Sequence, residues 1–273
     1  MVTLGHIDYL NCIPVHGAIL LKKVPFNGKI ITGNPSYLNK LLLSGDVDIS
    51  PCSSIEILHG HYIVPDLSIS SKSDVQSILL FTKKRIEEIE KGTILITSHS
   101  ATSSLLTKII FTEFYNVNLK YEIFDPTNNH IPISSDVIGI LHIGDLALKF
   151  FFNNIHPESF KFKYDLAHVW YEKTKGLPFT FALWQIPEQS MKKSELKSTI
   201  NALYESYSFF LDNKILFANF YQKKSGFNTK QIIEYWNHLD FSLEKKHMDS
   251  LKLFFELLKK NSLINKIPRF KFI

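Results

Sequence analysis

Three short segments carry residue types that hold an anion without a guanidinium group. Ser53-Ser54 follows the run ending Ser50-Pro51, Ser98-His99-Ser100-Ala101-Thr102-Ser103 follows the run 93–97, and Ile143-Gly144-Asp145 follows the run 137–142. In each, a strand-like stretch gives way to a helix-like one. A helix start leaves backbone N–H groups without intrahelical partners, and its dipole favours negative charge. The same residue types serve as ordinary helix caps, so spacing alone leaves both readings open. The chain has two arginines, Arg85 and Arg269. Bidentate clamping of a carboxylate is therefore scarce, and a carboxylate ligand is expected to rest on backbone N–H groups, hydroxyls or lysine. Asn11, in Tyr9-Leu10-Asn11-Cys12-Ile13-Pro14, ends the first strand-like run. It is either a turn residue or a neutral donor and acceptor turned toward a ligand.

Other chemistries find less in the sequence. His59-x-His61 has no further ligands at a useful spacing. Cys12 and Cys52 form no C-x-x-C pair, and Cys12 reads as a buried small residue rather than a nucleophile. No phosphate-cradling, dinucleotide-binding or nucleophile-elbow motif occurs. No metal and no organic cofactor are expected. His99, beside the Ser100 turn, is the side chain that could act as a base.

The elements that must position these residues follow from composition and period. At 273 residues, 45% hydrophobic, with 22 Phe and 11 Tyr, the chain can bury the cores of two lobes of roughly 100–150 residues each. This excludes disorder, collagen-like repeats and a disulfide scaffold. No run reaches about 18 apolar residues, so no membrane span is expected. The first ten residues read as a strand rather than a leader, and a cytoplasmic protein is expected. The formal charge of +5 resides in the C-terminal third, on helix-like segments, and reads as solvated lysine faces rather than a nucleic-acid surface.

Strand-like runs alternate with helix-like runs through the first 180 residues, which implies open, mostly parallel sheets. Asn34-Pro35 opens a helix that Gly45 stops. Extended runs at 75–82 and 178–187 look like crossings between two lobes. Three or four helices follow residue 188.

The segments GHIDYLNCIP, GDVDISPCSSIE, VQSILLFTKK, ILITSHSATSSLL, ILHIGDLAL and YDLAHVWYEKTKGLPFTFALW occur in that order. As a set, over residues 3–187, they resemble the chorismate dehydratase family of the futalosine route to menaquinone. The resemblance implies an α/β, two-lobed fold like the type 2 periplasmic binding proteins, with a C-terminal helical segment. Lobe one would be 1–78 plus 183–273, and lobe two 79–182. The cleft would hold chorismate, a small dicarboxylate. Asn11 would be the catalytic residue. Ser53, Ser54, Ser77, Ser100, Ala101, Thr102 and Ser103 would bind substrate, and the Ile143-Gly144-Asp145 turn joins them as an anion site. The chain departs from the family pattern at Ala167, Val169 and Lys175.

The implied reaction removes water from chorismate, giving 3-[(1-carboxyvinyl)oxy]benzoate, with no metal or cofactor. Three rival readings stand beside it, of which a transcription-factor effector domain finds no DNA-binding helix pair ahead of the first lobe. Another is a carboxylate-binding protein without chemistry. The third is the related 1,4-dihydroxy-6-naphthoate synthase, for which His130 or His142 would be the catalytic histidine.

Overall fold

A computed structural model describes residues 1–126, 134–157 and 159–273. The chain forms two compact units. Unit 1 comprises Met1–Ile69, Ala182–Leu243 and Pro268–Ile273, and unit 2 comprises Ser70–Phe181 and Glu244–Ile267. The sequence placed the division at 78/79 and 182/183 and kept the whole tail with lobe one. The structure divides the chain nine residues earlier on the first pass, and it puts 244–267 in unit 2.

Unit 1 begins with β1 (Val2–Ile7), a single 3-10 turn at Leu10–Cys12, and α1 (Ile13–Leu20). Then come β2 (Gly28–Gly33), α2 (Pro35–Ser44), β3 (Ser50–Ser53) and β4 (Tyr62–Ser71). β1 pairs in parallel with β2 and makes a parallel bridge from Leu4 to Ile49. That close approach needs Gly5, because a Cβ there would run into the Ser50 side chain. Asn34 caps α2 by accepting from the Tyr37 N–H at 2.8 Å, and Gly45, at φ +85°, ends it.

Unit 2 takes β5 (Ile78–Thr82), β6 (Thr93–Thr97), α3 (Ala101–Ile109), β7 (Lys120–Phe124), β8 (Val137–Ile143), α4 (Gly144–Phe152), β9 (Phe162–Asp165) and α5 (Leu166–Lys173). Its sheet has the order β7-β6-β8-β5-β9. Leu79, Phe81, Leu95, Val137 and Ile140 fill its core. The sheet is mixed rather than mostly parallel: β6 runs parallel to β7 and β8, whereas β5 is antiparallel to β8 and β9. Residues 75–77, expected as strand, instead form a turn ahead of β5.

β10 (Thr180–Ile186) leads back to unit 1 and pairs antiparallel with β3. α6 (Leu196–Asp212), α7 (Lys214–Ser225), α8 (Thr229–His238) and β11 (Leu239–Asp240) follow. Phe210 of α6 meets the Phe217 ring at 5.6 Å and the Trp236 ring at 4.9 Å, which ties the three helices together. α9 (Lys245–Lys260) packs in unit 2 instead, where Trp170 of α5 donates its indole N–H to Ser250 Oγ at 3.0 Å. The Phe254 ring packs against Trp170 and Phe179. β12 (Lys271–Phe272) pairs with β4.

Candidate functional site

In unit 1 the parallel pairing of β1 with residue 49 makes Ile7 and Ser53 leave on the same edge. The turn after β1 is held by its own backbone. Tyr9 N–H donates to Ile7 O, Cys12 N–H donates to Tyr9 O, and the Trp236 indole N–H donates to Leu10 O at 2.8 Å. On this anchored turn sits Asn11, half-buried, whose Oδ1 is shut off from solvent and has no donor among the described residues. A buried acceptor in that state costs stability unless a donor reaches it. Ser53 and Ser54 are buried. They open a 3-10 helix of six residues, Ser54–His59, and Ser53 provides no side-chain cap. The Ser53 carbonyl accepts from Gln185 Nε2 at 3.0 Å.

Asp48 of GDVD lies toward the other end of β1. It accepts from Thr3 N–H at 2.8 Å, Ser190 Oγ at 2.6 Å and Lys193 Nζ at 2.7 Å. Burial works to raise its carboxyl, but Lys193 and the other two donors outweigh that and hold it below the usual range. Its role is to stitch strands together.

Beneath the Asn11 turn, His6, Cys12 and His16 bring three potential ligand atoms within 4.8 Å of one another. The Trp184 indole N–H donates to His16 Nε2 at 2.9 Å. Neutral His16 therefore carries its proton on Nδ1. That atom lies 3.1 Å from His6 Nδ1 and 3.4 Å from Cys12 Sγ. A cation here would have to replace the very proton the Trp184 contact fixes, so the residues do not suit a metal. Burial pushes His6 down to about 4 and His16 well below its ordinary value. Burial also raises the thiols of Cys12 and Cys52, and neither offers a thiolate.

In unit 2, strand register collects the expected turns at one edge. Ile78 pairs with Ile143, Leu79 pairs with Asp165, and β6 ends alongside β8. The start of β5 and the ends of β6, β8 and β9 therefore share that edge. Ser77, the 98–103 turn and Ile143–Asp145 all emerge there. In open α/β sheets, ligands bind at this kind of edge.

The capping chemistry of the 98–103 turn is realised. Ser100 Oγ accepts from Ser103 N–H at 3.2 Å and donates to Ser103 Oγ at 2.9 Å. Ala101 is exposed, and Thr102 and Ser103 are buried. His99 donates its backbone N–H to Thr97 Oγ1 and sets Nε2 3.6 Å from Asp125 Oδ1. Gly144 takes φ +64°, and its N–H donates to Ser77 O at 2.8 Å, so that amide is already engaged. Asp145 stands in the first turn of α4.

Sequence reasoning missed two residues at this edge. Gln76 is 2% exposed, adopts φ +59°, and its Oε1 has no hydrogen-bond partner. Asp165 Oδ2 accepts the N–H groups of Val75 at 2.9 Å and Gln76 at 2.6 Å, while Oδ1 caps α5 through Ala167 and His168. Burial raises its carboxyl to about 6, against the four N–H groups that favour the charge. An Asp ahead of a helix-like run is a capping signal that could have pointed to Asp165. No signal marks a non-glycine residue at positive φ.

His142 is buried with its Nδ1 unpartnered, and the rings of Phe124 and Phe150 stand 5.7 and 4.9 Å away. Burial lowers it to about 4. His130 lies outside the described residues.

A family model described as menaquinone biosynthesis matches residues 2–260. This chain belongs to the menaquinone biosynthesis family. A chorismate dehydratase of Thermus thermophilus is 27% identical to this family member over 93% of its chain and 94% of the relative. Protein AF1704 of Archaeoglobus fulgidus shares its fold at a TM-score of 0.73 and 15% identity, covering 96% of this chain and 98% of that one. The CA3427 gene product of Candida albicans, described as having the generic periplasmic binding protein fold, matches at a TM-score of 0.65 and 13% identity. It covers 99% of this chain and 97% of that one. The family member therefore has a periplasmic-binding-protein-like α/β fold. Among the described residues, no helix is long and apolar enough to cross a membrane.

Proposed function

We propose that this member of the menaquinone biosynthesis family is a hydro-lyase that converts chorismate to 3-[(1-carboxyvinyl)oxy]benzoate. The observation that carries the reading is the Asn11 amide oxygen, shut off from solvent and lacking a donor among the described residues on an anchored turn, in a chain whose curated relative is a chorismate dehydratase.

The hydrogen lost is on the ring carbon bearing the enolpyruvyl ether, and the hydroxyl leaves from its neighbour. Loss of that proton spreads charge onto the ring carboxylate, to which it is vinylogous. The product is aromatic, so the driving force is large. The protein's task is to fix the substrate, stabilise the growing carboxylate charge and exclude water. Ser, Thr and N-terminal helix amides bind more strongly as that charge grows, which is where rate comes from. In unit 2 these are the turn residues Ser77, Ser100, Ala101, Thr102, Ser103, Ile143 and Asp145. In unit 1, Ser53 and Ser54 accompany Asn11.

His16 Nε2 accepts from Trp184 and His6 Nδ1 faces His16 Nδ1, so neither imidazole of that pair has an acceptor nitrogen to spare; Asp8 is paired with Lys224 at 2.5 Å, and His99 faces Asp125 at 3.6 Å. The reading therefore takes the substrate's own enolpyruvyl carboxylate as proton acceptor. The proton and the departing hydroxide leave as water, with Asn11 orienting the hydroxyl-bearing carbon. The reaction is placed in the cytoplasm, in keeping with two free, buried thiols. The test is to incubate purified protein with chorismate in excess chelator and analyse the products by mass. A new species lighter by one water, with aromatic absorbance, is expected. Unchanged chorismate would refute the reading.

A further inference from the structure

Gln76 stands out from every other residue at its edge of the unit 2 sheet. Ser77 N–H donates to Val75 O at 2.7 Å across it. With φ at +59°, that is a γ-turn of the positive-φ kind, which is rare and strained for a residue with a side chain. The turn does not stand by itself. Asp165 grips the N–H groups of both Val75 and Gln76, and Ser77 O accepts from Gly144 N–H. The structure thus fixes a strained backbone from two sides while leaving Gln76 Oε1, shut off from water, with no donor among the described residues. Strain and an orphaned acceptor at one residue are costs a fold retains where a ligand uses them.

We propose that Gln76 is a substrate-binding residue that reads the ring hydroxyl, a role that rests on the chorismate reading above. An amide oxygen needs a donor. Chorismate at neutral pH carries two carboxylates and an ether, which only accept, and one hydroxyl, which donates. Gln76 Oε1 is the acceptor for that hydroxyl. The product has lost the hydroxyl, so the same oxygen gives it no bond and does not retain it. Gln76 thereby favours substrate over product, and as an acceptor it holds the hydroxyl without assisting its departure.

Gln76→Ala and Gln76→Gly are compared with the parent protein for chorismate kinetics, for inhibition by the hydroxyl-free product, and for thermal unfolding. Both variants should raise KM for chorismate about tenfold, the size of one buried neutral hydrogen bond, with kcat not reduced, since an acceptor on the departing hydroxyl does nothing to help its C–O bond break. Product inhibition should be unchanged. Gln76→Gly, which relieves the φ strain, should unfold at or above the parent temperature. An unchanged KM, or equal losses of affinity for chorismate and product, would overturn the assignment. So would a fall in melting temperature of both variants without any change in kinetics. A parent protein inert toward chorismate would overturn the functional reading and this inference together, whereas an active parent with indifferent variants would overturn this inference alone.

Discussion

Asn11 and Gln76 share one property: each holds a buried amide oxygen that no described residue satisfies. Their side chains contribute little to folding, and what they offer is selectivity for a ligand that donates. For Asn11, removal of the amide should lower kcat by roughly 10²–10³, the size of a lost transition-state donor or acceptor. Thermal unfolding should shift little or upward, because an unsatisfied group leaves the interior. Steady-state kinetics alongside a melting curve of Asn11→Ala checks both, and a folded variant with parental kcat would remove Asn11 from the chemistry. Asn11 was legible in the sequence because it sits in a segment with a family resemblance. Gln76 was not, since it occupies the variable place of a V-x-S motif and its importance lies in a backbone angle.

The titrating residues give a pH signature. His6, His16 and His142 have folded values depressed by burial, to about 4 for His6 and His142 and well below 6.5 for His16. As pH falls from 6.5 toward 4, the unfolded chain takes up protons that these folded imidazoles refuse, so stability drops. Asp165 acts the other way. Its folded value of about 6 exceeds the model-peptide value of 3.8, so its contribution grows as pH falls from 6 to 4 and is lost as pH rises through 6. Burial lowers His61 as well, and Asp48 is held below its usual range, whereas burial raises Glu56 alongside Asp165. The histidines and Asp48 outnumber the two raised carboxyls, and the protein should lose stability on acidification across this window. Asp165→Asn removes one of the opposing groups, so its melting temperature should fall more steeply with acid than the parent's. A flatter acid profile in the variant would contradict the assignment.

At the scale of elements, register does what no single motif announces. Three turns far apart in sequence reach one edge because β5 runs against β8 and β9 while β6 runs with β8. Alternating strand and helix periods made an α/β fold legible, and Asn34-Pro35 with Gly45 marked α2 closely. The antiparallel direction of β5 was not legible. Strand direction within a sheet has no signal in a period of two, and residues 75–81 look like one strand when read by period alone. The anion-site reading of the Ser and Gly turns was legible only as an alternative to capping, and Ser100 in fact caps α3 while the Gly144 amide binds Ser77. β1 supplies an element-scale prediction. Gly5→Ala pushes a methyl into Ser50, spreading β1 from the 49–53 segment. Overpacking of this kind costs about 1–3 kcal/mol, and the displaced β1 turn should lower kcat as well. Chemical denaturation together with kinetics tests this, and parental stability would mean that β1 tolerates the wider spacing.

At the scale of the molecule, the sequence located two units, but it assigned the C-terminal helices by their position in the chain. α6, α7 and α8 belong to unit 1, whereas α9 packs in unit 2 through Ser250 and Phe254 against Trp170. A helix period reveals which face is apolar and not which core receives it. The basic surplus of this tail needs no nucleic-acid role. Lys260, for example, pairs with Glu113 at 2.6 Å.

The central claim is that a periplasmic-binding-protein-like chain performs an elimination rather than only holding its ligand. Its most direct test combines calorimetric titration with a time course of chorismate under chelation. The account predicts binding followed by continuous release of the aromatic enolpyruvyl ether over many turnovers per protein, whereas stoichiometric binding with chorismate recovered intact would contradict it.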